Sequence, residues 1–177
     1  MPRMKIKFND HLAYFQIANF LKDYISENTI IVCIGTDKCI GDCLGPLVGF
    51  LLQEKNFPLK VYGTLEKPIH ALNLDKEIKN IKKENPNSFI IALDACLGDS
   101  NDIGCICCRT DSLRPGKGVG KILPPIGDIS IVGIIDSSDR NDLFSTRGIR
   151  LDLVMKMSQA ITTSLIEAYS LKKYNYN

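Results

Sequence analysis

The chain has 177 residues, 45% of them hydrophobic and 24% charged, with a net charge of +2. That length suits one domain spanning residues 1–177, large enough to bury a core without disulfides or a structural metal. The balanced charge argues against nucleic-acid binding, no apolar stretch is long enough to cross a membrane, and Met1 to Lys7 carries charge with no apolar block behind it, so a secretory signal is not expected and the cytoplasm is the expected compartment.

Asn9-Asp10 can cap a first helix running to about Ser26, with Leu12, Phe15, Ala18, Leu21 and Ile25 at helical spacing. Thr29 to Ile34 is β-branched and apolar almost throughout, and reads as a first strand covered on both faces. Gly45-Pro46 opens a second helix, Leu47 to Lys55, with Pro46 suited to the first turn. Lys60 to Thr64 is a short second strand. Pro68 begins a loop, Asn73 or Asp75 caps a third helix, and Pro86-Asn87 breaks it after Asn85. Lys79 to Lys83 on that helix reads as a solvated face.

Ser88 to Leu93 is the third strand, Ile103 to Arg109 the fourth and Ile129 to Ile135 the fifth. Gly116 to Gly127 is too rich in Gly and Pro to be regular. Gly148 precedes a long amphipathic helix from about Ile149 to Leu171, with Leu151, Val154, Met155, Ser158, Ile161, Thr162 and Leu165 on one stripe. The tail Lys172 to Asn177 is expected to fray.

Strands alternating with helices give an α/β domain in three layers, α/β/α, around a mainly parallel sheet. Counting the expected strands 1 to 5, the common small-domain order is 2-1-3-4-5, with its switch point between strands 1 and 3. Two acids fall at that point. Asp42 lies in the loop after strand 1, and Asp94 closes the apolar run Phe89 to Leu93. Two close carboxylates share a proton, so one serves as general base on a water while the other, protonated, hydrogen-bonds a substrate carbonyl. The bland alternative is that each acid caps a helix or orders a loop.

Around Asp42 stand Gly35, Thr36, Asp37, Gly41 and Gly45; the glycines allow a sharp turn and close approach of a peptide, or serve as ordinary turn residues. His70, with Asn73 after it, lies on the loop behind strand 2, where it binds substrate, tunes Asp42 or simply bonds to backbone. These residues are the candidate substrate-binding set. Phosphate-loop, dinucleotide, pepsin-type and nucleophile-elbow motifs are absent. The seven cysteines, Cys33, Cys39, Cys43, Cys96, Cys105, Cys107 and Cys108, are odd in number and form no zinc-ribbon spacing, so they read as small core residues, with Cys105 and Cys107 sharing one strand face. No cofactor and no metal site is expected.

Gly35 to Pro46, Ile91-Ala92-Leu93-Asp94-Ala95 and Arg114 to Gly120 resemble segments of the germination protease of spore-forming bacteria. The wider pattern, including Tyr62-Gly63-Thr64, Pro68 to Asn73, Asp94 to Gly98, Gly127 to Ser130 and Leu153 to Met157, is similar to short sporulation proteins of spore-protease type. The resemblance implies a phosphorylase/hydrolase-like fold shared with hydrogenase-maturation endopeptidases, catalytic roles for Asp42 and Asp94, a protein substrate such as the small DNA-binding spore proteins, and a place in the forespore or spore core. Two alternatives stand beside an aspartic-type endopeptidase: a non-catalytic sporulation protein that binds a protein partner, and a nickel-dependent maturation enzyme. The last needs a third ligand, and no histidine follows His70. Oligomeric state, a homo-oligomer included, is left open.

Overall fold

The computed structural model describes residues 3–115, 124–138 and 148–174. The chain opens with a strand, β1 (Arg3–Lys7), then α1 (Ala13–Leu21), which runs into a 3-10 turn at Lys22–Tyr24. Next come β2 (Thr29–Cys33), a 3-10 turn at Ile40–Asp42, α2 (Leu44–Glu54), β3 (Lys60–Tyr62) and α3 (Leu74–Glu84). β4 (Phe89–Gly98), β5 (Cys105–Arg109), β6 (Ile129–Ser137) and α4 (Leu151–Tyr174) complete the described elements.

All six strands form one mixed sheet in the order β1-β5-β6-β4-β2-β3. The expected strands 1 to 5 correspond to β2 to β6. The switch point holds, because β2 lies between β3 and β4 and pairs parallel with both. The remainder of the expected order does not. β6 inserts between β4 and β5, and β5 runs antiparallel to β6. The reason is linker length: a parallel return needs a crossover of about a dozen residues or more, and residues 99–104 between β4 and β5 are too few.

β1 was not expected as a strand. Arg3-Met4-Lys5-Ile6-Lys7 alternates in period two, with Met4 and Ile6 packed on the core and the three basic residues exposed. That is the pattern of an edge strand guarded by charge. It pairs antiparallel with β5, and Lys5 Nζ donates to both carboxylate oxygens of Asp102 at 2.9 and 2.8 Å.

Boundaries moved for local reasons. α1 begins after an Asp10 carboxylate oxygen accepts the Leu12 N–H at 2.8 Å, so the first turn starts later than Asn9-Asp10 suggests. α2 starts at Leu44, leaving Pro46 within the first turn, where its missing N–H costs nothing. α4 runs on through Lys172 and Lys173, where fraying was expected; basic residues at a helix carboxyl end suit its dipole. Of the expected irregular stretch Gly116 to Gly127, residues 116–123 lie outside the described residues, as do 175–177 of the tail. Leu113 and Ile126 form an isolated antiparallel bridge.

Two cores flank the sheet. Ile31, Cys33, Ile91, Leu93, Ile106 and Ile131 face the layer of α1, α2 and α4, from which Leu21, Leu44, Val48, Val154, Met157 and Ile161 pack inward. Ile30, Val32, Ile34, Ile90 and Ala92 face α3 through Leu74, Ile78 and Ile81. β2 is buried at every position, as its unbroken apolar run predicts. Lys79, Lys82 and Lys83 are exposed on α3, while Ile81 is buried.

Candidate functional site

Asp94 does not close its strand, as the apolar run suggested. β4 continues to Gly98, alongside β6, with Asp94 opposite Val132. On its other side β2 ends at Cys33, opposite Leu93. Asp94 is therefore the first β4 residue beyond the end of β2, on the sheet face that carries Ala92 and looks toward α3.

Asp42 ends the 3-10 turn that leads into α2. The loop before it is closed by backbone hydrogen bonds: Thr36 N–H donates to the Asp42 carbonyl at 3.0 Å, and Asp42 N–H donates to Cys39 at 2.9 Å. Gly35 has φ +138, and any Cβ there would collide with the Asp42 carbonyl. A Cβ on Gly45 would collide with the Ile34 carbonyl, and one on Gly41 would sit 2.6 Å from Ile149 Cδ1. The space beside these three glycines is thus occupied by the protein itself, which accounts for their small size without a substrate. Asp37 is exposed, and the Thr36 hydroxyl accepts the Lys38 N–H at 3.3 Å.

The loop after β3 reaches the same edge. Ile69 bridges Ile34, and Gly35 N–H donates to the Ile69 carbonyl at 2.8 Å. His70 follows directly. Its N–H donates to Asn73 Oδ1 at 2.8 Å, Asn73 Nδ2 donates to Pro68 at 3.0 Å, and His70 Nδ1 accepts the Leu72 N–H at 3.3 Å. Asn73 is the residue before α3, yet its side chain ties the loop together and makes no cap to the helix. With Nδ1 used as an acceptor, the neutral ring carries its proton on Nε2. Lys67, Pro68, Ile69, His70, Asn73 and Glu77 line a shallow cleft here. A second cleft, lined in part by Asn85, Ser88 and Asp128, lies at the opposite, amino-terminal edge of the strands and has no acid pair.

The two acids sense each other. Burial, and after it the neighbouring Asp42 charge, push the Asp94 carboxyl up to about 8, against the hydrogen bond from Ala95 N–H to its Oδ1 at 2.8 Å. Burial also raises Asp42, against a backbone hydrogen bond from Thr36 and the influence of His70, which both lower it. Asp42 is thus close enough to both Asp94 and His70 for their charges to couple, and Asp94 is the acid that keeps its proton near neutral pH.

A third carboxylate, Asp136, is buried near the end of β6. Its sequence signal is the one Asp94 carries, an acid that follows an apolar run. Asp136 is level with Leu97, three residues past Asp94, so it lies roughly 10 Å farther along the sheet. Among the described residues no three His, Cys, Asp or Glu side chains are placed to hold a metal ion. The donors among the described residues therefore do not form a nickel site of two acids and a histidine.

The cysteines are free; Cys39 is exposed, Cys96 half-buried and the other five buried. Cys105 and Cys107 share a face and pack with Ile134 and Cys96. No helix among the described residues is long and apolar enough to cross a membrane.

A family model described as "Protein of unknown function (DUF1256)" matches residues 5–164. The chain is 40% identical over 150 residues to the "Uncharacterized protein YyaC" of Bacillus subtilis (strain 168), covering 84% of this chain and 73% of that one. Among solved structures it is similar to the [NiFe] hydrogenase maturation protease HycI from Thermococcus kodakarensis KOD1, with a TM-score of 0.53 and 18% identity over 82% of this chain and 98% of that one. At that identity the likeness is one of fold: an α/β sheet flanked by helices, of the kind a maturation protease uses. The match to a germination protease suggested by the motifs has no counterpart among these findings.

Proposed function

The chain belongs to the DUF1256 family, and from its coupled pair of acids we propose that it is an aspartic-type endopeptidase that hydrolyses a peptide bond between Asp42 and Asp94. The observation that carries this reading is the split in proton affinity. Asp94 is pushed up to about 8 by burial and then by Asp42, so one acid is protonated while its partner is free to act as a base. A protease-like fold supports the substrate class. A role in sporulation or germination is proposed on the motif resemblance alone.

The chemistry balances with these two groups. Asp42 takes a proton from water as the oxygen adds to the carbonyl carbon. Asp94 gives its proton to the carbonyl oxygen, so the tetrahedral intermediate forms as a neutral diol. Asp42 then delivers its proton to the amide nitrogen, the C–N bond breaks, and Asp94 regains a proton from the diol as the new carboxylic acid forms. The Thr36 N–H, and after it His70, lower Asp42 against the burial that raises it.

Cleavage of unfolded casein and of a panel of small basic spore proteins, followed by mass spectrometry, tests the reading. Wild-type protein should cut at least one of them, and Asp42→Asn and Asp94→Asn should each stop cutting while keeping wild-type circular dichroism. Normal cleavage by either variant overturns the assignment. Tight binding of one spore protein with no cleavage would favour the non-catalytic partner-binding alternative.

A further inference from the structure

β4 outruns its neighbour on one side. β2 pairs with it as far as Cys33 opposite Leu93, and the last bond between them runs from Ile34 N–H to the Leu93 carbonyl at 2.7 Å. The chain then turns toward the loop after β3, where Gly35 N–H donates to the Ile69 carbonyl. β4 continues to Gly98 along β6. Backbone groups of successive β4 residues point to opposite sides. Even-numbered residues face β6: the Ile90 carbonyl accepts Asp128 N–H at one end and the Gly98 carbonyl accepts Ser138 N–H at the other, both at 2.8 Å. The alternation therefore survives the irregularity between Cys96 and Leu97. Odd-numbered residues face the β2 side, as Phe89, bonded to Asn28, and Leu93 do.

Beyond Leu93 that side presents Ala95 and Leu97. Ala95 N–H is taken by Asp94 Oδ1. The Ala95 carbonyl and both backbone groups of Leu97 have no hydrogen-bond partner among the described residues, and neither residue is buried. Such a row of unpaired groups is complemented by another extended backbone. We propose that this open edge of β4 is a binding site for an extended peptide, which lies in line with β2 and adds a parallel strand beside Ala95 and Leu97. One peptide residue then gives its N–H to the Ala95 carbonyl and accepts the Leu97 N–H, and the residue two farther on donates to the Leu97 carbonyl. The edge begins one residue past Asp94, so the bound strand passes the acid. The proposal deepens the peptidase reading and rests on it for cleavage alone, and it is tested by binding, so the two can fail separately.

The probes are a fluorescent, end-blocked decapeptide of alternating Thr and Val with a Lys at each end, and an oligoproline of equal length, which is extended but has no N–H to give. Anisotropy titrations use the full chain carrying Asp42→Asn. The Thr/Val peptide should bind about tenfold or more tighter than the oligoproline, and adding Leu97→Pro should weaken it about tenfold by deleting a donor and leaving its partner carbonyl unpaired. Leu97→Ala keeps the N–H and should bind as its parent does. Proline is tolerated where a strand N–H is unpaired, so Leu97→Pro should fold. Amide exchange of the unsubstituted chain, read by NMR, is the second measurement. The Leu97 amide should exchange freely and slow tenfold or more with peptide, while the Leu93 amide, covered by β2, stays protected throughout. No binding of the Thr/Val peptide, equal binding of the oligoproline, undiminished binding by Leu97→Pro, or a Leu97 amide that the peptide does not slow overturns the proposal. Protection of Leu97 that grows with protein concentration instead would mean a second copy takes the edge, and overturns it too. Selective binding without cleavage by wild type would uphold it and sink the peptidase reading.

Discussion

Replacing Asp94 by Asn should stabilise the protein at alkaline pH and abolish its activity. In the unfolded chain an aspartate titrates near 3.8, and in the fold Asp94 titrates at about 8. Below pH 3.8 the group is protonated in both states and contributes nothing to the pH dependence. As pH rises from there, the unfolded chain releases its proton and the native one keeps it, so native stability falls by about 1.4 kcal/mol per pH unit until the folded group ionises. The accumulated cost by pH 8 is of order 5 kcal/mol, a large fraction of what holds a domain of this size together. Asparagine has the shape of the protonated acid and never ionises. Urea unfolding at pH 5, 7 and 9 should give wild type a falling stability, and Asp94→Asn a flatter one that exceeds wild type by several kcal/mol at pH 9. Parallel curves for the two proteins would refute the argument, because they would mean that Asp94 titrates in the fold as it does in the open chain.

Asp42→Asn should bring the Asp94 titration down, seen by carboxyl carbon NMR, while leaving it above 3.8, because burial is the larger cause of its shift. Gly45→Ala should cost roughly 2 kcal/mol or more in chemical unfolding, since its Cβ meets the Ile34 backbone, which no rotamer change relieves. Thr162→Val should be neutral or stabilise by about 1 kcal/mol, because the Thr162 hydroxyl is buried with no hydrogen-bond partner among the described residues. Alkylation of native protein at pH 8, mapped by mass spectrometry, should modify exposed Cys39 first and leave Cys33 and Cys108 untouched, as burial pushes both thiols up to about 12.

What the order of residues determined by itself is the set of strands and helices with strong local signals, together with the acids at their ends. The largely apolar runs of β2, β4 and β6 name a two-sided sheet, and the lysine-rich stripe of α3 names an outer face. The switch point followed from the β2-to-β4 segment alone, because short links and right-handed crossovers leave few ways to wind it. Even the missed edge strand was written in the alternation of Met4 and Ile6 with basic residues.

Tertiary structure decided the rest. Whether β6 lies beside β4 or beyond β5 depends on pairing between strands distant in sequence, and no local pattern encodes that choice. How far β4 extends past Asp94 depended on β6 being there to pair with it. The glycines flanking Asp42 acquired their meaning only once the Ile34 and Asp42 carbonyls were found filling the space beside them. The proton on Asp94 is likewise a property of its surroundings: an aspartate carries no intrinsic preference for pH 8, and only burial beside a second charge creates one.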